Sequence, residues 1–385
     1  MTDTHSLDAA VDASNIGSSR DEPLRAPNAV RQFTLDDGRP LPDAFAPFVH
    51  DCWYVIAISD EVDHELKGIM VLGEPLVYYR TEGGEVVVLD DRCAHRRFPL
   101  SKSHLIGDTI RCGYHGFTFD TGGHCIFAPG TKGPRSFGVR KYPAVERGLW
   151  VWVWMGDPEK ADPALVPWFE GKDPEDWSSY PFYAHNPCNY MLLMENVLDL
   201  THLHYLHGPE AADAEYANTP PQPLDVGPNG VGWRKEVEDT EMSIFAYWAG
   251  GNPRQRVRRV EETRQFGPNI LRIDTYNYHH EGDEEEIRPS YGRSTHYWTP
   301  ETLLSTHQFV SGTFNCSHAQ PREEFVNFVL TNVFSQDREA VIWAQDSILK
   351  DRRAQQEFSI PSDRYGLKMR HILRQMASAA SVPAK

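Results

Sequence analysis

Two short loops, Cys93-x-His95 and Cys112-x2-His115, constrain this chain more than any other feature, with sixteen residues between His95 and Cys112. They lie in the stretch CAHRRFPLSKSHLIGDTIRCGYHG, and each supplies one thiol and one imidazole. Four such donors suit a metal centre, and a centre held by two loops requires those loops to be fixed face to face. The surrounding text fits a rigid frame. From residue 50 to 155 it is written in short apolar runs (WYVIAI, IMVLG, PLVYYR, EVVVLD, GLWVWVWMG) broken by Gly and Asp, which reads as a small all-β domain.

The order of donors narrows the metal. Zinc fingers usually group like with like, Cys with Cys and His with His. Here each loop brings one of each, so one iron takes both thiolates and a second takes both imidazoles. That is the ligand set of a Rieske [2Fe–2S] cluster, and the interleaving favours it over tetrahedral zinc. An imidazole on the outer iron can release a proton on oxidation and hydrogen-bond outward to a further centre. The remaining cysteines, Cys52, Cys125, Cys188 and Cys316, stand in apolar or mixed contexts and read as small buried residues.

A cluster domain needs about a hundred residues, and this chain has 385. That length, with 40% hydrophobic and 11% aromatic residues, supports two cores. The longest apolar runs span seven residues, too short to cross a bilayer. No apolar leader opens the sequence, which predicts a cytoplasmic protein. A net charge of −17 without a basic block argues against nucleic acid as a partner. The expected organisation is a mobile N-terminal extension (1–47), a cluster domain (48–156), a Pro- and acid-rich linker (157–180) and an α+β domain (181–385). In the last, a helix is expected over YMLLMENVLDLTHLHYLHG, ending at Gly208-Pro209. Strands are expected from 230 to 320, and helical spacing from 321 to 357.

The second constellation is ENVLDLTHLHYLHG, with Asn196, Asp199, His202, His204 and His207. On one regular helix His204 and His207 share a face, whereas His202 and His207 are turned by about 140° from each other. His202 can join His207 on one ion only if the helix ends or distorts between them. Spacing leaves both pairs open.

The segment from about 48 to 155 resembles the Rieske domain of ring-hydroxylating and demethylating oxygenases. Phe98 and Tyr114 stand where respiratory-chain Rieske proteins carry a disulfide, so the likeness is to the oxygenase branch. The family often has Gly where this chain has Arg97. The string Asn196-x2-Asp199-x2-His202-x4-His207 resembles the mononuclear-iron motif of vanillate and dicamba demethylases. That resemblance implies His202 and His207 as ligands, His204 as a bystander, and a late helical carboxylate as third ligand: Asp337, with Asp346 the weaker alternative. Two His and one carboxylate leave open positions on Fe(II) for dioxygen and substrate. Asp199 is implied to orient a ligand imidazole and to bridge to a cluster histidine, His115, of a neighbouring subunit. Asn196 is implied to stand near the iron.

The resemblance further implies an α+β fold, with an all-β Rieske domain followed by a helix-grip catalytic domain of antiparallel sheet and helices. It implies a head-to-tail homotrimer, and a terminal oxygenase that hydroxylates or oxidatively demethylates a small aromatic or heterocyclic substrate with O2. Cis-dihydroxylation and plain electron transfer are its rivals. No dinucleotide fingerprint occurs in the chain, so electrons from NAD(P)H must arrive through a separate reductase, with or without a ferredoxin. Tyr183, Tyr190, Phe245, Tyr247, Trp248, Tyr276 and Tyr278 suit an aromatic substrate or core packing equally. Arg256, Arg258 and Arg259 in RQRVRR read as a solvated turn rather than a carboxylate site.

Overall fold

The computed structural model describes residues 33–132, 136–167, 169, 177–227, 230–242, 255–279, 290–315, 321–351 and 357–380. Cys316, Phe245, Tyr247, Trp248 and most of the N-terminal extension lie outside them. The first module is all-β. Strands β1 (Cys52–Ile58), β9 (Ala144–Arg147) and β10 (Trp150–Met155) form one sheet; β2 (Lys67–Val71), β3 (Glu74–Arg80) and β4 (Val86–Asp90) form another. A small sheet follows from β5 (His104–Ile106), β6 (Thr109–Arg111), β7 (Thr118–Phe119) and β8 (Cys125–Phe127). The run WVWVWM of β10 is buried at every position, as a strand covered on both faces must be.

The second module is built on an antiparallel sheet of β11 (Ser178–Asn186), β12 (Gln222–Pro223), β13 (Gly232–Glu241), β14 (Arg256–Gln265), β15 (Ile270–His279), β16 (Ser290–Thr302) and β17 (Ser305–Phe314). Its order is β11-β17-β16-β15-β14-β13-β12. Register assigns its faces, because paired residues on neighbouring strands point the same way. Leu271, Trp298 and Trp233 pack against helices α1 (Tyr190–Leu198) and α6 (Arg364–Ala380). Ile270, Tyr297 and Phe309, of opposite parity, pack against Trp150 and Trp152 of the first module. The sheet is therefore a shared wall, with helices on one side and the β-module on the other.

Three expectations need correction. Residues 33–47 are not a mobile lead-in: Leu35, Leu41, Phe45 and Ala46 are buried in the helical core. The Asn189 side chain, which caps α1, bonds the Ala46 N–H and carbonyl at 2.9 and 3.0 Å. The linker drawn to residue 180 overlaps β11, and its Val166 and Phe169 pack into the wall between modules. The single helix expected from 190 to 208 is two. It breaks at Asp199–Thr201, and α2 (His202–Leu206) follows with His207 as its C-cap and Gly208 in the left-handed region at φ 86°. Helix α6, whose Met369, Leu373 and Ala377 are buried, was not foreseen. Among the described residues no helix is long and apolar enough to cross a membrane.

Candidate active site

The break between α1 and α2 is what lets His202 and His207 meet. Asp199, the C-cap of α1, is extended at φ −120° and ψ 91°, and its carboxylate accepts from the Thr201 N–H at 3.0 Å to fix the turn. With the helical phase reset, the two imidazoles lie edge to face, ring centroids 5.4 Å apart. Asp337 reaches them from the long C-terminal helix: α4 (Arg322–Val329), a π-helical segment (Leu330–Phe334) and α5 (Ser335–Lys350). A π segment shifts the phase of the helical turns after it, and here it precedes Asp337 by a few residues.

One ligand atom from each of His202, His207 and Asp337 lies within 4.8 Å of the others, the grouping of this kind found among the described residues. The Asp337 Oδ1 stands 3.4 Å from His202 Nε2 and 3.2 Å from His207 Nε2. The Nδ1 protons are spoken for. His202 Nδ1 donates to the Asp199 main-chain carbonyl at 2.6 Å, and His207 Nδ1 donates to Gln336 Oε1 at 2.7 Å. Each Nε2 therefore presents a lone pair, and that of His207 is buried without a hydrogen-bond partner among the described residues. Two lone pairs facing a carboxylate are mutually repulsive until a cation sits between them, so the residues fit a metal ion with open positions. Burial holds His202 below its ordinary value; at His207 burial is outweighed by Asp337 and Gln336, and the value rises.

The other expected residues sort cleanly. Asn196 Nδ2 donates to Asp337 Oδ1 at 3.0 Å and orients that carboxylate. His204 points away, its Nδ1 donating to the Ala212 carbonyl at 2.8 Å. Asp346 is exposed, pairs with Lys350 and stands outside the group formed by His202, His207 and Asp337. The Asp199 carboxylate does not reach His202; it accepts from Thr201 and, at 3.1 Å, from Ser362 Oγ, and only its carbonyl serves the ring. Gln336 was missed, since nothing in sequence marks an amide beside a ligand as an orienting group.

A cavity of about 170 Å³ opens beside the ion site, walled by Phe182, Leu200, Phe314, Phe325 and Phe334 with a few polar groups. Gly312 makes room for it, because a Cβ there would meet Phe325 at 2.9 Å. Of the aromatics that suited a substrate or core packing equally, Tyr183, Tyr190, Tyr276 and Tyr278 do not line it. The RQRVRR stretch is no solvated turn from Arg256 on: it is strand β14, and Arg259 is buried in the cavity wall.

In the first module the two Cys–His loops are built alike. Cys93 N–H donates to Phe98 O and Arg97 N–H to Cys93 O; Cys112 N–H donates to Phe117 O and Gly116 N–H to Cys112 O. Arg97 and Gly116 are both left-handed, at φ 57° and 75°. Cys93 and Cys112 are buried while His95 and His115 stand exposed, with ring centroids 4.7 Å apart. Buried thiols behind surface imidazoles fit a [2Fe–2S] cluster whose outer iron faces solvent. Phe98 and Tyr114 meet across the loops at 5.8 Å between centroids.

A module of two Cys–His loops, joined to a site of two imidazoles and one carboxylate in a helix-covered antiparallel sheet, defines a Rieske-type oxygenase. Comparison with known proteins agrees. The Rieske [2Fe-2S] domain family matches residues 52–143, and the vanillate O-demethylase oxygenase C-terminal domain family matches 187–379. The oxygenase component of dicamba O-demethylase from Stenotrophomonas maltophilia is 32% identical over 72% of this chain and 82% of its own length. The vanillate O-demethylase oxygenase subunit of Pseudomonas sp. strain HR199 is 34% identical over 45% of this chain and 49% of that one. The crystal structure of dicamba monooxygenase bound to dicamba superposes with a TM-score of 0.77 at 26% identity, covering 86% of this chain and 98% of that one. The chain belongs to the Rieske oxygenases, in the branch with the vanillate O-demethylase type of catalytic domain. Its cofactors are the Rieske cluster and a non-heme iron, with O2 as co-substrate.

Proposed function

We propose that this chain is the terminal oxygenase of a multicomponent system, fed with NAD(P)H electrons by a separate reductase, that hydroxylates or oxidatively demethylates an aromatic or heterocyclic compound. The observation that carries this reading is the pair of Nε2 lone pairs and the Asp337 carboxylate converging beside an apolar cavity. When bound, the cluster supplies electrons and the iron supplies dioxygen activation. The chain's own residues do the rest. The Asp199 carbonyl, Gln336 and Asn196 hold His202, His207 and Asp337 in place, and the phenylalanine wall binds the substrate and keeps water off it. Two relatives are named as demethylases of dicamba and vanillate, which supports demethylation of a methoxyarene.

We place the electron bridge at Asp199, between copies. Its carboxylate opens on a surface hollow shared with Glu195, Ser362, Leu367 and Phe358, the last 95% exposed. His95 and His115 are exposed beside the 60%-exposed Tyr114. A head-to-tail trimer, in which one face meets a different face of the next copy, closes such a pairing. The test combines analysis and turnover. Purified protein should contain one iron beyond a two-iron, two-sulfide cluster and, with a reductase, release formaldehyde from methoxyarenes. Asp199→Asn, which keeps the cap on Thr201, should abolish that turnover with both metal centres retained, whereas Asp199→Ala, which also removes the cap, should abolish it and lose the mononuclear iron as well. Turnover surviving in either variant removes the bridge; sulfide without the extra iron removes the oxygenase.

A further inference from the structure

The long C-terminal helix presents Phe325, Val329, Val333 and Asp337 to the cavity, one residue from each successive turn. Asp337 stands at the ion site, so Phe325, about three turns earlier, closes the cavity at its remote end. Its ring is buried and comes down on the sheet at Gly312. A Cβ added at Gly312 would stand 2.9 Å from Phe325 Cζ and 3.2 Å from Cε1. Phe314 is seated in the same manner at Gly292, where a Cβ would meet its Cε1 at 3.3 Å. In the ladders Gly312 lies between Tyr180 and Ser294, and Gly292 lies opposite Phe314, so the two notches are neighbours on one face. Neither glycine has a positive φ. What each supplies is the missing side chain.

The seated ring is wedged. Tyr180 lies against Phe325 at 4.8 Å between centroids, Phe314 meets it edge to face at 5.7 Å, and Phe182 stands at 6.4 Å. Rings at these separations are in contact, so Phe325 is backed by the sheet and by its neighbours, and the cavity lies in front of it. That cavity is about 170 Å³. A dry apolar cavity of about 150 Å³ takes up one benzene, whereas pockets for drug-sized ligands start at about 300 Å³. The space therefore suits one six-membered ring with small substituents. A fused second ring needs the volume that the Phe325 ring fills.

We propose that Phe325, seated in the Gly312 notch, is a specificity-determining residue that limits the substrate to a single ring. This rests on the reading of that cavity as the substrate site of an oxygenase. The substrate's reacting group points toward His202 and Asp337, and Phe325 stops its far end. A close-packed wall of this kind excludes by overpacking, because extra ring atoms force side chains off their rotamers. Apolar burial works the other way. A fused ring carries more apolar surface, so burial alone would rank the bicyclic ligand first. A preference for the single ring therefore reports the wall and not hydrophobicity.

The test is calorimetric titration of the metal-loaded protein with matched pairs: methoxyphenols, methoxyanilines and methoxybenzoates against the naphthalenes that carry the same groups. In the wild type each single-ring compound that binds should exceed its naphthalene partner at least about 10-fold. Phe325→Ala vacates one ring at the remote end and should invert that order, with the naphthalene ahead by about 10-fold. Phe325 belongs to the core, so Gly312→Ala is the second variant. Its Cβ displaces the Phe325 ring toward the cavity and should weaken single-ring binding at least about 10-fold. Adding Phe325→Leu, whose side chain lacks Cε1 and Cζ, should restore it. A wild type in which a naphthalene binds as tightly as its partner, or in which no single-ring compound binds, overturns the proposal. So does a size order unchanged by Phe325→Ala or, if that variant does not fold, single-ring binding undiminished by Gly312→Ala. A size limit that moves in the variants, without formaldehyde from any bound methoxy compound in the wild type, keeps the limit and removes the oxygenase reading. Formaldehyde released from both ring sizes at equal affinity does the reverse.

Discussion

Arg97 and Gln336 show how much of a candidate metal site rests on residues outside its proposed ligands. Arg97 takes the left-handed conformation that Gly116 takes in the companion loop, and an L residue there costs roughly 1–2 kcal/mol. The loop is nevertheless the same, closed by the same pair of main-chain hydrogen bonds, so the departure from the family's glycine changed strain and not shape. Arg97→Gly, which also loosens the unfolded chain, is expected to raise stability by up to about 1 kcal/mol with sulfide content unchanged. Denaturant unfolding of the loaded protein measures it, and a loss of stability would show that the arginine side chain holds the loop. Gln336 gives the opposite case. Its amide oxygen receives the His207 Nδ1 proton, so Gln336→Ala frees the ring to turn and should weaken binding of the mononuclear iron about 10- to 100-fold. Iron titration of the protein with its cluster intact tests this; undiminished affinity would mean that packing alone sets the ring.

At the scale of elements, what could be read in sequence and what could not divide along a physical line. The donor chemistry of a candidate cluster site is local, so Cys93, His95, Cys112 and His115 are visible in a single stretch, and the alternating strands of the β-module carry their period openly. Whether His202 or His204 joins His207 depends on a helix break that a short Asp199 cap creates, and spacing left both open. Helical spacing was readable from 321 to 357, and the helix runs from Arg322 to Lys350, with 352–356 outside the described residues; its π segment was not readable, because no residue type announces one. That segment is testable. Asn332 is exposed within it, and deleting Asn332 should convert it to regular α-helix, turning Asp337 by about 100° relative to the Phe325 and Val329 face. The deletion variant is expected to lose the mononuclear iron and keep the cluster, as read by iron-to-sulfide ratio. Retention of both would show that Asp337 is placed by α5 alone. Helix α6 and the packing of residues 33–47 escaped notice for a related reason: each becomes a helical-core element only through contacts with α1, far away in sequence.

At the scale of the whole molecule, the shared wall makes two modules into one. Main-chain and side-chain bonds cross it: Leu72 N–H to Pro300 O, Gly73 N–H to Glu301 O, and Thr299 Oγ1 to Val55 O at 2.6 Å. His307 is a titratable member of this seam. Its Nε2 donates to the Met70 carbonyl at 3.1 Å and its Nδ1 accepts from the Tyr183 hydroxyl at 2.8 Å, so both nitrogens are satisfied only in the neutral ring. Burial pushes its value down to about 4, against the pull of Glu301 and with His185 adding to the depression. The unfolded chain keeps the ordinary value near 6.5. Below that the unfolded state binds the proton the folded state refuses, so the neutral seam's stability is complete above pH ~6.5 and is lost progressively toward pH ~4. His296, held down to about 4 by burial in the cavity wall, adds to the same slope. Replacing His307 by Gln keeps a donor and an acceptor without a titration. Between pH 7 and pH 5 the wild type should lose roughly 1–2 kcal/mol more stability than His307→Gln. Urea unfolding at the two values measures the difference, and the transition should take cluster absorbance and catalytic-domain helicity together. Equal losses would detach the seam from His307, and two separate transitions would mean that the wall joins the modules without making them fold as one.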